Sequence, residues 1–207
     1  MRLKFKSGMM LALIGALAWA VPAPAADSAL ADAVAQLSTK GCYGVATGAV
    51  RFPALGEQDN VGKSIEAFRT LGLQSGINKT MLDDLGPAGT GLISQASIGS
   101  KSLGNGVMVM ALGGRQPGCR IILLADPDPA MTDGVSSALA KPANGWKLIP
   151  EMSGTRGGIE RRAFIRRDAK GLPYLLNLMT VIQESPRLRL FTTVVAIPAG
   201  VALPKGY

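Results

Sequence analysis

The sequence predicts an α+β domain, with N-terminal helices and a largely antiparallel sheet that has one helix inserted before a C-terminal β-meander. Three observations carry this expectation. Apolar residues recur at helical spacing across residues 27–85, and one continuous apolar run, Ile121, Ile122, Leu123 and Leu124, stands mid-chain. After Trp146, four strand-like runs follow one another, separated by turn sequences.

Residues 1–26 stand apart from that domain. Arg2, Lys4 and Lys6 precede an apolar run from Met9 to Val21, and a small-residue segment from Pro22 to Ala26 closes it. This is the pattern of a secretory signal peptide. The run is too short to cross a hydrocarbon core of ~30 Å, so no transmembrane anchor is expected after cleavage and the protein is expected to be periplasmic or secreted. Residues 27–207 then form a single α+β domain with a short C-terminal tail, long enough to stabilise itself through one core.

Within the domain, Leu30, Val34 and Leu37 mark an amphipathic helix over residues 27–40, closed by Gly41. Residues 44–62 mix Gly, Pro and polar types and read as an irregular connection with a short strand at 49–52. A helical region over 63–85, broken by Gly72 and Gly76, would bury Ile65, Phe68 and Leu71 in its first half and Ile77, Met81 and Leu85 in its second. Gly86 to Gly91 reads as a turn, and residues 92–98 and 107–112 as a hairpin closed around Gly104, Asn105 and Gly106. The run 119–125 reads as a central strand. Asp128 and Pro129 then suit the start of a helix that reaches Ala140 and stops before Pro142. Runs at 146–149, 159–167, 172–183 and 188–197 form the meander, with tight turns at Asp168 to Gly171 and Glu184 to Arg187, and residues 199–207 leave as a tail. The order of strand, strand, helix and terminal meander is similar to that of profilin-like and PAS-like domains, a likeness of element order with no motif behind it.

Cys42 and Cys119 are the only cysteines. Export would place them where a disulfide forms and persists, so one bridge is expected. Without its first 26 residues the chain carries 19 Lys and Arg against 14 Asp and Glu, a balance of +5 that suits solubility and is compatible with an anionic partner.

Catalytic chemistry is limited by what the chain lacks. It contains no histidine, which removes the commonest general base, the usual triad partner and the main zinc-binding side chain. Neither SxxK nor GxSxG occurs. Asp83 with Asp84 and Asp126 with Asp128 are adjacent or nearly so, whereas glycosidase carboxyls stand ~5 to 9.5 Å apart across a cleft, so Asp126 and Asp128 read as strand-end and helix-cap residues. In DPDPAMTDG, Ala130 stands where a calcium loop needs an oxygen ligand, and GPAGTG at 86–91 lacks the Lys-Ser or Lys-Thr of a phosphate loop. No catalytic residue, metal site or cofactor is assigned.

The feature pointing to function is the arginine set Arg156, Arg161, Arg162, Arg166, Arg167, Arg187 and Arg189. On a strand, Arg161 and Arg167 share one face with Ala163 and Ile165, while Arg162 and Arg166 share the other with Phe164. If Phe164 packs inward, Arg162 and Arg166 lie at the margins or pair with acids such as Glu160 and Asp168. Arg161, Arg167, Arg187 and Arg189 are then the candidates for holding an anion or a partner, since guanidinium groups grip phosphate and carboxylate by paired donors. Solvated sheet surface and edge protection is the competing role. Only Phe164 interleaves with the basic cluster, so nucleic acid is not an expected partner. The function expected is that of an exported, non-catalytic envelope protein that binds a protein or an anionic envelope component. The alternatives are a histidine-independent enzyme such as a carboxylate-dependent glycan hydrolase, or a secreted inhibitor or immunity-type protein.

Overall fold

The computed structural model describes residues 28–52, 61–113, 118–126, 128–181 and 187–207. Residues 1–26, where a signal peptide is expected, and most of the turn at 184–187 lie outside the described residues. Helix α1 (Ser28–Gln36) runs into a π-helical segment (Leu37–Cys42) and then α2 (Tyr43–Ala46). Helix α3 (Val61–Thr70), the two-residue strand β1 (Gln74–Ser75) and α4 (Lys79–Ile93) follow. Strands β2 (Ala96–Leu103), β3 (Gly106–Gly113) and β4 (Cys119–Leu124) precede α5 (Met131–Ala140). The chain then forms β5 (Lys147–Arg156), β6 (Ile159–Arg167), β7 (Pro173–Val181) and β8 (Leu188–Ala196).

All eight strands form one antiparallel sheet in the order β1-β2-β3-β4-β8-β7-β6-β5. The topology is two successive meanders. Helix α5 carries the chain from β4, at the centre, to β5, at the far edge, and β6 to β8 return until β8 pairs with β4. The expected α+β class is therefore the observed one, and the run at 121–124 is indeed central, with every residue of β4 buried.

One face of the sheet packs against α1, the π-helical segment and α5. Leu30, Val34, Val135 and Leu139 from the helices meet Met110, Ile121, Leu123, Phe164, Leu176 and Leu190 from the strands, all fully or almost fully buried. Each such side chain contributes roughly 1.5–3 kcal/mol relative to exposure. The opposite face has two separate covers. Helix α4 places Leu85 and Ile93 over Val109, Ile122 and Leu124, whereas Ile197, Leu203 and Tyr207 of the C-terminal segment cover Ile149, Ala163 and Ile165. The segment expected to leave as a tail therefore folds back, and Tyr207 Oη donates to Leu148 O at 2.9 Å on the edge strand.

Local departures from expectation have identifiable causes. The first helix does not close at Gly41, because the wide π turn aims three of its side chains at distant partners. Ser38 Oγ and Thr192 Oγ1 are 2.7 Å apart, Trp146 Nε1 donates to Thr39 Oγ1 at 3.0 Å, and Cys42 is bonded to Cys119. Residues 49–52 form no strand; the Val50 N–H instead closes a turn on Gly44 O. Helix α4 continues through the expected turn at 86–91. Gly86 leaves helical geometry at φ 62° and ψ −176°, and Pro87 suits the first turn of the resumed helix. Residues 92 and 93 thereby belong to α4, and the first hairpin strand starts at Ala96. Gly104, not Gly106, takes the positive φ in that hairpin turn. Phe68 is buried as expected, but Ile65 is 46% exposed because α3 rests on β2 through Phe68 alone of that pair.

Candidate functional site

The period of two in β6 sorts the arginines as the sequence implies. Phe164 is fully buried against the helical layer, and its two flanking arginines are neutralised or capped there. Arg162 pairs with Asp133 of α5 at 2.6 Å and with Glu160 at 2.8 Å. Burial alone would lower its pKa, but these two acids hold it above the ordinary arginine value. Arg166 donates to Asn144 O at 2.8 Å and lies 4.3 Å above the Tyr43 ring, which contacts Trp146 and Tyr174 edge-on. Asp168, the other acid considered, turns to the backbone, accepting from the N–H groups of Lys170 and Leu172.

Arg161 and Arg167 share the opposite face, but that face is not a continuous wet surface. Ala163 and Ile165, between them, are buried under Leu203 and Tyr207. Six residue steps along the strand separate the two arginines by roughly 20 Å. Arg167, exposed, donates to Gly171 O across its own turn. Arg187 precedes β8 and is held by Asp84 at 2.9 Å and by Asn105 O at 2.6 Å, with Asp126 at 3.8 Å. Arg189 donates to Ala125 O at 2.8 Å. The four candidates thus occupy three places in the fold. Arg187 and Arg189 tie β8 to the end of β4, next to the register shift between Leu123 and Leu124.

Of the four, Arg161 has the setting of a binding group. Its Nε and Nη2 both donate to Asn177 Oδ1, at 2.9 and 2.6 Å. The amide fixes the guanidinium without neutralising it. No carboxylate lies within 4.0 Å of Arg161 among the described residues, and the donors at Nη1 and at Asn177 Nδ2 remain free for a ligand. Asn177 is adjacent to Thr193 on β8, and Thr193 to Arg120 on β4, which sets a polar row across the sheet between its two apolar covers. Arg120 is buried and donates to Gly113 O, and burial lowers its pKa.

A concavity of about 540 Å³ opens beside Arg161. It arises where the β5 register jumps, with Ile149 opposite Ala163 and Gly154 opposite Arg161. The residues in between bulge outward, and Ser153 Oγ bridges the gap by donating to Ile149 O and accepting from the Ala163 N–H. The space beside Gly154, the register partner of Arg161, is open, since a Cβ built there would meet nothing within 4 Å. Arg156, Thr155, Ile159, Met152, Met179 and the acidic Glu151 complete the lining. The arrangement can hold an anionic group against Arg161 with an apolar portion on Ile159 and the methionines.

Sequence reasoning missed Asn177, whose role depends on a neighbouring strand, and missed the β5 bulge. Pro150 within a strand run was the available signal for the bulge. The carboxylates weighed for hydrolysis each have a partner. Asp83 pairs with Lys79, Asp84 and Asp126 flank Arg187, and Asp128 accepts from the Ala130 N–H.

Compared with protein families, curated proteins and solved structures, the chain matches none.

Proposed function

We propose that this chain is an exported, non-catalytic protein of the cell envelope that binds an anionic envelope component through the concavity at Arg161. The observation that carries this reading is the pairing of Arg161 with a neutral amide, which orients a half-buried guanidinium and leaves its charge uncompensated among the described residues. The Cys42–Cys119 disulfide supports an oxidising compartment, and the basic and apolar pattern of residues 2–21 supports export. The mixture of Arg161 and Arg156 with Ile159, Met152 and Met179 suits a phosphate or carboxylate carried on an apolar body. Cosedimentation with phosphatidylglycerol vesicles tests the reading, with phosphatidylcholine vesicles as control. The protein should sediment with the anionic vesicles only, less at raised salt, and Arg161→Gln should weaken the association about tenfold or more. Equal sedimentation of Arg161→Gln and the parent protein would refute it.

A further inference from the structure

We propose that a second cleft, on the helical face of the sheet, binds a small aliphatic carboxylate. The cleft measures about 320 Å³ and lies between the π-helical segment and the turn after α3. That volume falls within the range of small-molecule sites. Its floor is apolar: Leu37, Leu73 and Met108 are buried and Leu71 is half-buried. Lys40, from the π-helical segment, and Lys101, from β2, stand exposed at its rim. Among the described residues neither lysine has an ion-pair partner, and none that lines the cleft is acidic. Gly72, at φ +71°, forms the turn in one wall, and a Cβ built there would lie 3.9 Å from Lys101 Nζ, so the ammonium rests over that wall.

Two lysines beside an apolar lining match a ligand with an anionic head and a short hydrocarbon chain. Exposed ammonium groups alone contribute only a few-fold each, so the chain must supply part of the binding by covering Met108 and its neighbours. The cleft is independent of the Arg161 concavity. Lys101 is paired with Met108, which faces the helical layer, whereas Arg161 projects from the other side of the sheet.

The probe is sodium octanoate, followed through the 13C-methyl resonance of Met108, which Met108→Leu assigns. Octanoate should shift this resonance saturably. Acetate, which lacks the chain, and octylammonium, which reverses the charge, should leave it in place. The Lys40→Gln, Lys101→Gln double variant keeps the fold, because both side chains are exposed, and should bind octanoate about tenfold more weakly. A Met108 resonance unmoved by octanoate, moved equally by octylammonium, or moved equally in the double variant would overturn the proposal.

Discussion

Arg161 directs two of its donors, Nε and Nη2, at the single oxygen Oδ1 of Asn177 on the adjacent strand. A carboxylate at position 177 would have nearly the same shape and would cancel the charge that the amide leaves available. Asn177→Asp should therefore keep the fold and the thermal midpoint within a few degrees while abolishing binding to anionic vesicles. Circular dichroism melts beside cosedimentation check both halves of this expectation.

The disulfide closes a long loop, with 77 residues of separation between Cys42 and Cys119. On the chain-entropy model such a link stabilises by at most about 4.5 kcal/mol. It also anchors the π-helical segment to β4, so its loss should loosen the Ser38–Thr192 and Thr39–Trp146 contacts. Cys42→Ser, Cys119→Ser should lower stability by about 2–4 kcal/mol in urea titrations, and a reductant should then have no further effect.

Gly99 faces the Phe68 ring so closely that an added Cβ would clash with Cδ1 and fall 2.7 Å from Cγ. Phe68 is 1% exposed, so the ring has little room to retreat. Gly99→Ala should cost about 1–3 kcal/mol by overpacking, and Phe68→Leu should relieve part of that cost in the double variant. Chemical denaturation of the four proteins of the cycle measures the coupling.

Much of this architecture was legible because it follows from local periodicity. The period-two spacing of Arg162, Phe164 and Arg166 along β6 fixes which arginines meet the helical layer, and the unbroken run at 121–124 is typical of a central strand buried on both faces, which it is. The turn at Asp168 to Gly171 carries its own instructions, since Gly171 takes φ 80° and Asp168 bonds the backbone ahead of it. What escaped sequence reading depends on residues far apart in the chain. The π turn is held by partners more than 75 residues away, Arg187 by Asp84 at a separation of 103, and the C-terminal segment by Leu148. The candidate site was half legible: Arg161 stands out by its strand position, but Asn177 and the opening at Gly154 exist only once β5, β6 and β7 are side by side.

Tyr174 carries a pH prediction. Burial, and then the nearby Asp168 carboxylate, raise its pKa above the ordinary tyrosine value of about 10. Because the folded state holds the proton more tightly than the unfolded chain, this contribution is fully present below pH ~10 and is lost as pH rises through the folded-state value. Tyr174 should ionise above the ordinary tyrosine range in an absorbance titration, and Tyr174→Phe should remove that late step.

If the guanidinium of Arg161 receives an anion, its own Nε–H resonance reports the event most directly. Titration with dihexanoyl phosphatidylglycerol below its micelle concentration should shift the Arg161 Nε–H signal saturably in the parent protein and leave it unmoved in Asn177→Asp. An Arg161 signal that stays in place while other arginines respond would show that this guanidinium holds no anion and move the binding surface elsewhere.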